Sequence, residues 1–188
     1  MESLSKMFSN GRARSGIIVL PCGAGKTLTG ITAASRIKKS VLVLCNSNVS
    51  VEQWRQQFFQ WAHMKDYPVV SFTSKEAANM FSEDQAGVVV STYFMISYSQ
   101  DRRDEVEAKM DIIRKIPWGL LILDEVQMVP ANQFRKVTSQ IKSRCKLGLT
   151  ATLVREDERI TQLNYLIGPK LHEANWRELT VRGFLANV

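Results

Sequence analysis

Three short segments of this chain bring together residue types that could do chemistry. The first is Pro21-Cys-Gly-Ala-Gly-Lys-Thr27, which follows the apolar run Ile17 to Leu20 and precedes a helical pattern through Leu28 and Ile31. Strand, glycine turn, Lys-Thr and helix together are the context of a loop that grips phosphates. Gly23 and Gly25, with Ala24 between them, let the backbone fold close around an anion so that successive N–H groups point inward. Lys26 is then expected to reach the β and γ phosphates of ATP, and Thr27 to offer its hydroxyl to Mg2+. The positive end of the following helix adds to the attraction. Leu20 stands where the strict pattern has a further glycine, so the flanking elements carry the assignment.

The second segment, Leu120-Leu-Ile-Leu-Asp-Glu-Val-Gln127, is an apolar run that delivers two carboxylates at its C-terminal end. In doubly wound sheets ligands bind at that edge of the strands. Asp124 can hold magnesium directly or through water, and Glu125 can polarise the water that attacks a γ phosphate. Lys26, Asp124 and Glu125 are therefore the candidate catalytic residues. A simple helix cap is the competing use of such an acidic pair. In the third segment, Lys146-Leu-Gly-Leu149 runs into Thr150-Ala-Thr152, whose hydroxyls could bond the acidic pair or a γ phosphate and pass the state of the site elsewhere.

The elements that must position these residues are legible as two periodicities. Short apolar runs at Ile17 to Leu20, Val41 to Cys45, Val69 to Phe72, Val88 to Val90, Leu120 to Leu123 and Lys146 to Leu149 predict buried strands. Between them Val51, Trp54, Phe58 and Trp61, then Val106, Met110 and Ile113, then Phe134, Val137 and Ile141 repeat at helical spacing and are expected in the core. Alternating strand and helix predicts an α/β fold, a mostly parallel sheet with helices on both faces and right-handed crossovers. The helix from about Asp101 to Lys115 is expected on the surface, laced by Arg103/Glu107, Glu105/Lys109 and Asp111/Lys115.

Composition bounds the rest. With 188 residues, 45% hydrophobic and 23% charged, the chain suits one globular domain spanning 1–188 and excludes a disordered or fibrous one. No run reaches the roughly 18 to 20 apolar residues that cross a bilayer, and the N-terminus lacks the layout of a secretion signal. A cytoplasmic or nuclear setting without a membrane partner is expected. Cys22, Cys45 and Cys145 have no metal or disulfide spacing and are expected to be reduced and half-buried. The net charge of +7 hints at an anionic partner, and no Asp or Glu stands between Val126 and Val154, where Arg135, Lys136, Lys142, Arg144 and Lys146 do.

Taken together, the segments resemble the first motor domain, RecA-like with its P-loop, of a superfamily 2 helicase, and more closely the XPB family of DNA translocases of transcription factor IIH and nucleotide excision repair. The likeness is carried by Met7-Phe8 through Asn10-Gly-Arg-Ala-Arg-Ser-Gly16, Leu20 to Thr27, Val51-Glu-Gln-Trp54, Ser91-Thr-Tyr93, Trp118-Gly119 with Ile122-Leu-Asp-Glu-Val126, Lys146 to Asp157, and Leu166-Ile-Gly-Pro-Lys-Leu171 with Glu173-Ala-Asn-Trp176. It implies ATP and Mg2+ as cofactors, a nuclear setting, a factor IIH-like assembly, and DNA held through its backbone near Asn46 to Ser50 and near Ser91 to Tyr93, with Asn46, Ser47, Ser91 and Thr92 the candidate contacts. It further implies that Arg155-Glu156-Asp157 helps to open DNA, and that Gln127, Thr150 and Thr152 couple hydrolysis to that work.

The family usually has His where this chain has Gln127, which bonds but does not titrate. The resemblance also implies half a motor: the chain starts after the family's adenine-contacting segment and stops before the second motor domain, whose arginine fingers complete catalysis. A non-catalytic ATP-binding or partner-docking module is the alternative from another class. A small-molecule kinase lacks any lid or acceptor cluster to support it.

Overall fold

The computed structural model describes residues 2–63, 67–73, 85–98, 104–152 and 163–174. Seven strands form one sheet: β1 (Gly16–Val19), β2 (Val41–Cys45), β3 (Val69–Phe72), β4 (Val88–Thr92), β5 (Trp118–Asp124), β6 (Ser143–Thr150) and β7 (Lys170–Glu173). Their order is β3-β4-β2-β5-β6-β1-β7, and every pairing is parallel. The inner strands are apolar along their length because both faces are covered. The α-helices that bear on the core and the site, among the described residues, are α1 (Glu2–Ser5), α2 (Lys26–Ile37), α3 (Asn48–Trp61), α4 (Tyr93–Ser97), α5 (Asp104–Lys115) and α6 (Ala131–Gln140).

Successive strand residues point to opposite faces, so the core divides into two layers. Ile18, Val41, Val43, Leu120, Ile122, Leu147 and Leu149 pack with α2 and α3 through Ile31, Val51, Trp54 and Phe58. Ile17, Val19, Leu42, Leu44, Leu121 and Leu123 pack with α4, α5 and α6 through Tyr93, Ile96, Met110, Phe134 and Val137.

Register sets what meets at the C-terminal edge. Asp124 of β5 lies level with Leu149 of β6, and Thr150 lies level with Val19 of β1. The turns after β1, β5 and β6 therefore emerge side by side.

Several expectations change in detail. Strands run longer than their apolar cores, since Ser91 and Thr92 extend β4 and Trp118 and Gly119 open β5. β7 was not anticipated: Lys170-Leu-His-Glu173 holds one apolar residue, as suits an edge strand. Trp61 ends α3 more than half exposed, its indole N–H donating to Gln57 on its own helix. On α5, Asp111 pairs with Arg114 rather than with Lys115, and Arg114 also takes Glu107 at 2.6 Å. Arg103 and the Glu105 side chain lie outside the described residues. The cysteines are free, but Cys22 is exposed while Cys45 and Cys145 are buried.

Gly16 explains how the edge strand is held. A Cβ there would lie 2.4 Å from the backbone oxygen of Pro169, which accepts from Ile17 N–H. Gly16→Ala is expected to lower the unfolding free energy by roughly 1–3 kcal/mol, the usual cost of overpacking. Amide exchange should accelerate at Ala174, which bonds Val19 in the β1–β7 pairing, more than at Leu147. Equal protection in both proteins would show that β7 does not depend on this contact.

Candidate active site

The glycine turn after β1 takes its shape from positive φ values, 79° at Gly23 and 86° at Gly25. Such values cost an L side chain strain but are open to glycine. Nothing lies within 4 Å of where a Gly25 side chain would begin, so the turn faces open space. Gly25 is the N-cap of α2 and offers no side-chain cap. The first N–H groups of that helix thus lack intrahelical partners and point toward the turn.

Lys26, the first residue of α2, reaches across to the turn after β5, where its Nζ lies 3.4 Å from Glu125 Oε1. Glu125 adopts φ 49° and ψ 50°, left-handed backbone that costs a non-glycine residue on the order of 1–3 kcal/mol. That kink ends β5 and turns the carboxylate back toward Lys26. Gln127 Nε2 donates to the other oxygen, Glu125 Oε2, at 2.6 Å. A carboxylate only accepts, so the Gln127 carbonyl faces the other way. There it lies 2.5 Å from the hydroxyl of Thr150, the last residue of β6. That hydroxyl also lies 2.7 Å from the carbonyl of Thr152 and, having one hydrogen, donates to one of the two at a time. A polar chain thus runs from Lys26 through Glu125 and Gln127 to Thr150.

Asp124 is held from both layers of the fold. Trp54 of α3 donates its indole N–H to Asp124 Oδ2 at 2.8 Å, and Tyr93 of α4 donates its hydroxyl to the Asp124 backbone oxygen at 2.9 Å. Burial raises the Asp124 pKa above its ordinary value; the Trp54 bond opposes this, Glu125 adds to it and Lys26 opposes it. The Tyr93 hydroxyl is pushed well up, first by burial and then by the charge of Asp124, and the Cys45 thiol at the end of β2 is pushed up for the same two reasons. Trp54 and Tyr93 were not singled out from the sequence for this site. Helical spacing marked Trp54 as core, which it also is, and no periodicity tells a packing indole from a donating one.

The remaining candidates divide. Asn46 and Ser47 are exposed beyond β2, with Ser47 capping α3 through the Ser50 N–H. Ser91 is fully buried and its hydroxyl donates to the Phe72 carbonyl at 2.6 Å, so the fold does not present it to a ligand. Thr92 is nearly buried and caps α4 through Met95 N–H. Thr152 is exposed at the end of β6. Arg155, Glu156 and Asp157 lie outside the described residues. Among the described residues no helix is long and apolar enough to cross a membrane.

Residues 1–155 match the family described as "Type III restriction enzyme, res subunit". The chain belongs to this family. It is also 59% identical over 187 residues to the "General transcription and DNA repair factor IIH helicase/translocase subunit XPB2" of Arabidopsis thaliana and to the corresponding subunit XPB/SSL2 of Saccharomyces cerevisiae. Those alignments cover 100% of this chain but only 24% and 22% of the two relatives. Among solved structures, the UvsW helicase of bacteriophage T4 superposes with a TM-score of 0.66 at 16% identity, covering 91% of this chain and 58% of that one. The Hef helicase domain of Pyrococcus furiosus gives 0.65 at 22% identity, covering 93% and 36%. At these identities the likeness bears on the fold, that of RecA-like helicase domains.

A buried carboxylate has a consequence for stability. A carboxyl whose folded pKa is raised binds its proton more tightly folded than unfolded, so stability falls as pH rises through its ordinary value of 3.8 and on through the raised folded value. Asp124→Asn can still accept from Trp54 and removes the charge. The variant is expected to melt at a higher temperature than the parent at pH 7, with the difference vanishing below about pH 4. Thermal melts across that range that run parallel would count against the burial penalty.

Proposed function

We propose that this chain, read as a single domain over 1–188, is the ATP-binding half of an ATP-dependent DNA helicase or translocase of the XPB kind. Its setting is then nuclear, in transcription initiation and nucleotide excision repair, within a factor IIH-like assembly. A second motor domain of the same parent chain is its partner across the cleft. The observation that carries this reading is the polar chain from Lys26 through Glu125 and Gln127 to Thr150, which ties a phosphate-type loop to the end of a neighbouring strand.

In this reading Gly23, Ala24, Gly25, Lys26 and Thr27 hold the phosphates of ATP. Magnesium suits the oxygens on offer: among the described residues the Thr27 hydroxyl has no protein partner, and Asp124 has one carboxylate oxygen beyond the one bonded to Trp54. Hard oxygen donors few in number are what Mg2+ accepts when phosphates and water complete its shell. Bound there, the ion would neutralise charge on the phosphate oxygens. Phosphates that draw Lys26 away from Glu125 leave that carboxylate to orient and deprotonate the attacking water. Gln127, bonded to both Glu125 and Thr150, keeps the carboxylate aimed and registers its position on β6. DNA is then held through its phosphates near Asn46 and Ser47 and near Thr92, with Thr152 and Arg155, Glu156 and Asp157 serving the same work.

The test joins this chain with the second motor domain supplied in trans. This chain alone is expected to release almost no phosphate from ATP, because a facing arginine contributes about 10³ to 10⁵ in rate in other P-loop enzymes. Adding the second domain and duplex DNA should restore turnover, and Glu125→Gln should cut the restored rate by about 10²-fold or more while leaving ATP affinity within a few fold. Robust DNA-stimulated hydrolysis by this chain alone would refute the half-motor reading, and full turnover by the Gln variant would remove Glu125 from the reaction.

A further inference from the structure

Trp54 spends its one donor in an unusual place. A buried indole N–H needs a partner, and the nearest comparison within this fold shows the ordinary solution: Trp118 donates to the backbone oxygen of Ile113. Trp54 donates instead to a carboxylate oxygen, 70 residues away in sequence, at the mouth of the site. Bonds to an ionised acceptor are roughly twice as strong as neutral ones, and they fix the direction of the acceptor as well.

The surrounding packing holds the ring in that pose. Trp54 is 2% exposed, and its ring packs on Phe58 of the same helix with centroids 6.1 Å apart. Its far edge passes beneath α2 at Gly30, where a side-chain carbon would lie 2.5 Å from Trp54 Cη2, 3.1 Å from Cζ3 and 3.2 Å from Leu149 Cδ1. Gly30 therefore leaves the room in which the indole lies, one turn along α2 from Lys26. From the other layer, the Tyr93 hydroxyl holds the Asp124 carbonyl. The carboxylate of Asp124 is thereby oriented by a rigid ring bonded to Oδ2, with the Glu125 backbone N–H also supporting the carboxylate, and its oxygens keep lone-pair capacity for a ligand.

We propose that Trp54 is a positioning residue for a magnesium ion, holding Asp124 so that a single oxygen faces the ion or its water. The proposal rests on the reading of Asp124 as the metal carboxylate. Partners one step removed from a metal ligand commonly contribute 10- to 100-fold in metal affinity. Loss of this one should weaken the gain in nucleotide binding that Mg2+ provides, and should spare the affinity that the loop and Lys26 provide without metal.

The experiment measures binding of a fluorescent, non-hydrolysable ATP analogue to this chain with Mg2+ and with chelator, and takes the ratio as the magnesium gain. Trp54→Phe keeps the ring and removes the donor. A second variant carries benzothienylalanine at position 54, which keeps the bicyclic shape with sulfur in place of N–H, so that a fold damaged by the smaller ring does not blur the answer. Both are expected to lose about tenfold of the magnesium gain with chelator-measured affinity unchanged. In an Asp124→Asn background, the benzothienylalanine should change the gain no further. An undiminished gain in the sulfur variant, or an equal further loss in the Asn background, overturns the role of Trp54 while leaving the metal site standing. A parent chain with no magnesium gain at all overturns both.

Discussion

All seven strands run parallel with both faces covered, and the rest of the molecule depends on that constraint. Parallel neighbours deliver their C-terminal ends to one edge, so each crossover returns the chain underneath and each new turn emerges beside the last. The register places Asp124 level with Leu149 and Thr150 level with Val19. The glycine turn, the acidic pair and the threonine therefore meet within hydrogen-bonding reach although they lie far apart in sequence. A slip of one residue in β5 would turn Asp124 to the opposite layer and break its contact with Trp54.

The site works against the stability of the fold that carries it. Glu125 sits in left-handed backbone, and Asp124 is a carboxylate held largely out of water. Both are costs that a protein selected for stability alone would shed. What offsets them is local and specific: an ion pair from Lys26, an amide from Gln127, an indole from Trp54 and a phenol from Tyr93. Side chains from separate parts of the chain converge on two adjacent residues. Electrostatic preorganisation takes this form when charges must be ready before a substrate arrives.

Gln127 links two of the elements that meet at the site. Its side-chain amide bonds the acidic residue on one side and β6 on the other. An amide bonds in both directions without titrating, so this link carries no ionisable proton of its own. The chain spans 24% and 22% of the two curated relatives described above. Its edge of exposed polar residues at Asn46, Ser47 and Thr152 faces outward from the same side as the glycine turn.

The amino-acid sequence by itself determined the periodicities, and through them the alternation of strand and helix, the parallel sheet, and the loop of Gly23 to Thr27. It also set Asp124 and Glu125 at a strand end, since an apolar run followed by two carboxylates has few other uses next to such a loop. These features are local, written in spacing and in the backbone freedom of glycine. Tertiary structure alone decided which side chains serve the site. It buried Ser91 and spent its hydroxyl on Phe72, although a serine beside the edge reads equally well as a ligand. It left Trp61 exposed and sent Trp54 beneath α2 to Asp124, although both share one helical pattern. It paired Pro169 with Ile17 to add an edge strand that holds only one apolar residue. Each of these depends on what stands opposite a residue across the fold, and a sequence records neighbours along the chain while hydrogen bonds and burial are settled between elements.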